Sequence, residues 1–150
     1  MYPAHGIVML NIIALILILL PASIQAGITY DTTILRVIDG DTVVISAPYL
    51  PEPLKKELSV RVYGVDTPEK GFRSHCESES LLGEEATEFT KTAVKSSKHQ
   101  QVIIREWDKY GGRLLGDILL DGKSLRSLLL NNALARQYYG EKKESWCEIK

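Results

Sequence analysis

The chain has 150 residues, of which 45% are hydrophobic and 25% charged, with 18 Lys+Arg against 19 Asp+Glu. This composition excludes a disordered chain, a collagen-like repeat and a disulfide-dense miniprotein. The net charge of -1 excludes a protein that coats nucleic acid by charge alone. The length suits one domain with a short appendage.

The averages hide an uncharged start. Residues 1–26 contain no Asp, Glu, Lys or Arg, so all 37 charges lie in the 124 residues from Gly27 onward. Ile7 to Leu20 is an apolar run broken only by Asn11. It is shorter than the roughly 20 apolar residues that a membrane-spanning helix needs. The small-residue stretch Pro21 to Gly27 follows. This is the order of a secretory signal peptide, with cleavage expected after Ala26. The domain is then residues 27–150, exported to the periplasm or secreted, into an oxidising compartment. Membrane anchoring is the lesser alternative.

Strands come next. Thr32 to Val37, Thr42 to Ser46 and Leu58 to Val65 are short and rich in Val, Ile, Leu and Thr. Asp39-Gly40 reads as a tight turn in which Gly supplies positive φ. Pro48, Pro51 and Pro53 predict a loop. Leu82, Ala86, Phe89 and Ala93 recur at helical spacing. Val102 to Trp107 and Arg113 to Leu120 predict two more strands, and Asp121-Gly122 another turn. Leu125, Leu128, Leu129 and Leu134 mark a second helix, with Ser124 as its N-cap. The pattern predicts an α+β, mainly β fold: a five-stranded OB-fold barrel with two to three helices.

Charge is unevenly spread over this domain: the net is -6 over residues 27–90 and +5 over 91–150. Solvation of an ordinary surface accounts for that, as does an acidic metal site facing a basic phosphate site. Three segments carry the chemistry. In Val37 to Val43, Asp39 and Asp41 flank Gly40, so that one can serve the turn while the other faces a site. In Arg61 to Glu69, Asp66 lies at a strand exit and Pro68 stiffens the loop after it. Carboxylates beside a free carbonyl suit a hard cation with oxygen ligands. A nearby Glu activates water, and an Arg clamps phosphate through two parallel hydrogen bonds. The same residues also describe a surface ion-pair cluster around a turn. In Asp108 to Asp117, a Gly-Gly loop edged by Lys109, Tyr110 and Arg113 suits a phosphate and a stacked base, or an ordinary charged hairpin.

Taken together, IDGDTV at 38–43, VDTPE at 65–69 preceded by Arg61, and DKYGGR at 108–113 resemble the staphylococcal nuclease-like (thermonuclease) family. DGK at 121–123 and LA at 134–135 match as well, so the resemblance covers residues 30–140. It implies an OB-fold and calcium-dependent hydrolysis of DNA and/or RNA, leaving 3′-phosphate ends. Carried over by position, Asp41 and Asp66 would be the Ca2+ carboxylates, and Thr67 would offer its main-chain carbonyl. Glu69 would activate water. Arg61 and Arg113 would bind the scissile phosphate, and Lys109 and Tyr110 would lie along the nucleotide. Asp39 would support the turn. His75 and His99 read as surface residues. The alternative is a catalytically weak nucleic-acid-binding OB-fold module. No obligate protein partner is implied, and a monomer is expected. The chain departs from the family at Gly112, which lengthens the usual DKYGR and loosens the alignment of Arg113, and in Lys70 to Gly83, whose composition is its own.

Cys76 and Cys147 are the chain's two cysteines. In an exported protein such a pair is expected to be bridged. The bridge would pin the polar tail from Gly140 onward against the active-site side of the barrel, with Trp146 as a hydrophobic partner.

Overall fold

The computed structural model describes residues 27–147, so the expected signal segment 1–26 lies outside the described residues. The strands are Thr29–Asp31 (β1), Ile34–Asp39 (β2), Thr42–Ser46 (β3), Glu57–Val62 (β4) and Val65–Asp66 (β5). After the helix Glu77–Ser96 (α1) come Gln100–Trp107 (β6), Leu114–Leu120 (β7) and Lys123–Ser124 (β8). A short helix, Leu125–Asn131 (α2), leads to Arg136–Gln137 (β9).

The main sheet runs β1-β6-β7-β4-β3-β2, with β8 added beside β7. Every neighbouring pair is antiparallel except β4 and β7, which are parallel. The outer strands β1 and β2 are consecutive in the chain and separated only by Thr32 and Thr33. The Thr32 N–H donates to the Gln100 carbonyl at 3.0 Å, and the Thr33 carbonyl accepts from the Ser46 N–H at 2.9 Å. One bent strand therefore stitches both sheet edges together, and the sheet closes into an OB-type barrel without a long free edge.

Val43, Ile45, Val60, Val62, Val102 and Ile118 from the strands fill the barrel, and Leu125 and Leu129 of α2 close one end. Burying each such side chain contributes about 1.5–3 kcal/mol. The Ser124 hydroxyl caps α2 by accepting from the Ser127 N–H. That helix stops at Asn131, and Leu134 is buried beyond its end.

Two expectations need correction. The strand expected to run to Val65 ends at Val62, because Gly64 turns the chain at φ 79°. The chain then resumes as β5, which pairs with β9 through Asp66 and Arg136. Second, Gly40 is not at positive φ. Its hydrogen is needed for space, since a Cβ there would lie 2.8 Å from the Ala86 Cβ. The expected stripe on α1 is present, with Ala86 in the core and Phe89 and Ala93 packed against it, and the helix also buries Glu79, Gly83, Thr87 and Thr90. Small residues bring the helix close to the β2–β3 turn, where the Thr90 hydroxyl donates to the Gly40 carbonyl at 2.7 Å.

Candidate active site

Three neighbouring chain segments bring the acidic residues together. Asp41 leads into β3, Asp66 ends β5, and Arg61 of β4 pairs with Thr42. A single Arg61 nitrogen, Nη2, lies 3.1 Å from Asp41 Oδ2 and 3.0 Å from Asp66 Oδ1. The two carboxylates therefore converge on one point. Asp41 also accepts from the Thr67 N–H at 3.1 Å and from the Thr42 hydroxyl at 2.9 Å. Its carboxyl is fully enclosed, and that burial pushes its pKa up to about 6 against the pull of Arg61. Arg61 is held protonated more firmly than usual: its burial is outweighed by the charges of Asp41, Asp66 and Asp39.

Glu69 stands in the loop after Pro68 and is fixed through α1. A Cβ on Gly83 would fall 2.5 Å from the Glu69 carbonyl oxygen, so helix backbone packs directly on this loop. Glu79, at the third position of α1, accepts from the Glu69 N–H at 3.4 Å and from the His75 N–H at 2.7 Å. A carboxylate here satisfies backbone donors at the helix entrance that the Cys76 N-cap side chain does not. Burial would raise the Glu79 pKa, but the His75 hydrogen bonds, with that from Glu69, bring it below the usual carboxylate range.

Arg113 lies just before β7. In the parallel β4–β7 register Leu115 pairs with Arg61, and Arg113 is two residues before Leu115. Alternation thus places Arg61 and Arg113 on one face of adjoining strands. The extra glycine is absorbed within the loop: Gly111 and Gly112 both sit at φ 71°. The Asp108 N–H still donates to the Arg113 carbonyl at 3.0 Å. Asp108 also pairs through its carboxylate with Arg113 Nε. Burial works to raise the Asp108 pKa, but the Arg113 hydrogen bond prevails and lowers it.

Arg61, Glu69, Lys109, Tyr110 and Arg113 line one cleft of about 470 Å³, together with Trp107, Tyr138 and Tyr139. Lys109 and Tyr110 are exposed at its wall. His75 and His99 are exposed and pair with Glu79 and Asp31.

Cys76 and Cys147 form a disulfide, and the tail does lie on the active-site side. Sequence reasoning missed what the tail brings. Lys143 Nζ lies 2.6 Å from Asp66 Oδ1 and 3.7 Å from Glu69 Oε1. Trp146 is not an apolar plug: its indole N–H donates to Asp66 Oδ2 at 3.4 Å, and its ring stacks 3.9 Å from the Arg136 guanidinium. Arg73 was missed too, and it bridges Asp39 at 3.3 Å and Glu69 at 3.5 Å. Neither Lys143 nor Arg73 sits in a distinctive motif. The one signal for Lys143 was its nearness in sequence to Cys147.

The charge count is uneven. Asp39, Asp41, Asp66 and Glu69 are four carboxylates held by three cations, Arg61, Arg73 and Lys143. Asp39 Oδ1 is buried with no hydrogen-bond partner among the described residues. This oxygen-rich, cation-deficient group suits a hard metal ion.

Residues 59–148 match the family model described as "Staphylococcal nuclease homologue". The chain belongs to this family. The match takes in Arg61, Asp66, Glu69, Arg113 and the tail cysteine, while Asp41 precedes it and is brought in by the β3–β4 pairing. Among curated relatives, Endonuclease YncB of Bacillus subtilis (strain 168) is 37% identical over 111 residues, covering 73% of this chain and 48% of that protein. SPbeta prophage-derived endonuclease YokF of the same strain is 35% identical, covering 73% of this chain and 34% of that protein. Thermonuclease of Staphylococcus hyicus is 32% identical over 104 residues, covering 69% and 56%. This staphylococcal nuclease homologue thus spans about half the length, or less, of these relatives.

Proposed function

We propose that this chain is an exported, calcium-dependent nuclease that hydrolyses phosphodiester bonds of DNA and/or RNA and leaves 3′-phosphate ends. The observation that carries this reading is the convergence of Asp41 and Asp66 on one Arg61 nitrogen, with Glu69 sharing Lys143 with Asp66. Three relatives named as nucleases support it.

The donor set fits calcium. Asp41 and Asp66 are hard oxygen donors in a group with excess negative charge, and the Thr67 carbonyl would complete the protein's share. When bound, calcium supplies positive charge against the substrate phosphate. The remaining work falls to side chains. Glu69 takes the proton from the attacking water as its oxygen bonds to phosphorus. Arg61 and Arg113, on one strand face, donate to the phosphate oxygens, whose charge grows in the transition state. The bond from phosphorus to the 5′ oxygen breaks, and that oxygen takes up a proton from solvent while Glu69 returns its own to solvent. Lys109 and Tyr110 hold the adjoining nucleotide by charge and stacking. The nucleic acid needs no protein partner, so the working unit is a monomer. The signal-like segment 1–26 and the bridged cysteines support export.

The test is incubation with single- and double-stranded DNA and RNA, with calcium or with excess chelator, followed by end-group analysis. Calcium-dependent cleavage with 3′-phosphate ends is expected. Full cleavage in chelator, or 5′-phosphate products, would overturn the reading. Retention of DNA without cleavage would instead favour the binding-module alternative.

A further inference from the structure

Lys143 is the feature of the site that the proposed mechanism leaves without a task. Its ammonium lies 2.6 Å from Asp66 Oδ1 and 3.7 Å from Glu69 Oε1. These are the carboxylates assigned above to the cation and to the attacking water. Asp66 Oδ1 already accepts from Arg61 at 3.0 Å as well as from Lys143, so a divalent cation approaching it meets two like charges, and Lys143, at 43% side-chain exposure against 13% for Arg61, is the one free to leave.

The placement is enforced by the tail. Cys147, four residues on, is bonded to Cys76 at the entrance of α1. Trp146 stacks on Arg136, and Arg136 Nη1 donates to the Ser145 carbonyl at 2.8 Å. Arg136 is itself the β-ladder partner of Asp66. The tail is therefore anchored on both sides of the carboxylate that Lys143 covers. A tethered cation competes at high effective concentration without any free ligand.

We propose that Lys143 is a resident counter-cation of Asp66 and Glu69 that calcium must displace, and that the bridged tail thereby sets the metal affinity of the site. This rests on the reading of Asp41 and Asp66 as metal ligands. Lys143 neutralises the crowded carboxylates. Metal binding then requires Lys143 to withdraw toward solvent, which its 43% side-chain exposure permits. Apparent affinity falls by the fraction of molecules in which Asp66 is uncovered.

The test is calorimetric titration of calcium into five full-length proteins: the native chain, Lys143→Met, Lys142→Met, the Cys76→Ser/Cys147→Ser pair, and that pair combined with Lys143→Met. Lys142 is exposed, adjacent and carries the same charge, so it reports the effect of charge at a distance. Lys143→Met is expected to bind calcium roughly five- to tenfold more tightly, as for a competitor occupying Asp66 about 80–90% of the time. Lys142→Met is expected to change affinity less than about twofold, since an exposed charge is strongly screened. The bridge variant is expected to bind more tightly than the native chain, and to add nothing further when combined with Lys143→Met. Thermal melts of the same proteins verify that each is folded at the titration temperature.

Equal affinities for the native chain and Lys143→Met would overturn the inference and leave the calcium reading standing. So would equal gains from Lys142→Met and Lys143→Met. Absence of calcium binding by the native chain and every folded variant would overturn both.

Discussion

Asp66 faces Arg61, Lys143 and Trp146 at once. Asp66→Ala is expected to abolish calcium-dependent cleavage while leaving the barrel folded, which far-UV circular dichroism beside a nuclease assay will show. Arg61→Lys keeps a charge but loses the planar fork that would grip two phosphate oxygens. A loss on the order of 100-fold in kcat is expected, the scale for one transition-state donor. Glu69→Gln is expected to lower kcat far more than it raises KM, since its task arises as the water is deprotonated. Near-normal turnover in Arg113→Ala would contradict the strand-register argument that places Arg113 beside Arg61. Asp41, Arg61, Asp66, Glu69 and Arg113 were legible as residues because each lies in a motif at a strand end. Lys143 and Arg73 were not, because a lone cation in a polar loop looks the same whether it meets solvent or a carboxylate.

The elements were legible where hydrophobic alternation was strong. Thr42 to Ser46 was read in full, and the five principal strands appeared in their order. The apolar stripe of α1 was legible, but its buried Gly83, Thr87 and Thr90 were not, because they carry little hydrophobic signal. Those small residues exist for proximity: Gly83 touches the Glu69 backbone. Gly83→Ala is expected to cost about 1–3 kcal/mol of stability, by analogy with overpacking of a tight interior, and to lower activity by shifting Glu69. Denaturant melts and kcat on the same sample check both. Glu79 supplies a pH signature at this contact. Its folded pKa is lowered, so its contribution is present above the ordinary carboxylate range and is lost as pH falls through and below it. Glu79→Gln is expected to flatten that part of the stability–pH curve, which melts at graded acid pH will show.

At the scale of the molecule, barrel closure depends on a two-residue hinge, Thr32 and Thr33, which no periodicity reveals because one strand simply becomes two. The disulfide closes a loop of 71 residues in sequence separation, and the chain-entropy model gives it about 4 kcal/mol. Reduction is therefore expected to lower the thermal midpoint by several degrees or more and to free the tail, while the barrel core, which does not include the tail, stays assembled below that midpoint. The whole arrangement then reads as a barrel holding two aspartates and a glutamate at one mouth, with Arg61 in contact with both aspartates and Arg113 beside it on the adjoining strand. Under the proposed function, hydrolysis needs both the cation and the residues that would hold it. The most direct measurement is single-turnover cleavage of a labelled oligonucleotide by the native chain and by Asp66→Ala, across a calcium titration and in chelator. Saturable calcium-dependent cleavage by the native chain, with none by Asp66→Ala at any calcium concentration, is the predicted result. Cleavage that survives either chelation or the loss of Asp66 would contradict it.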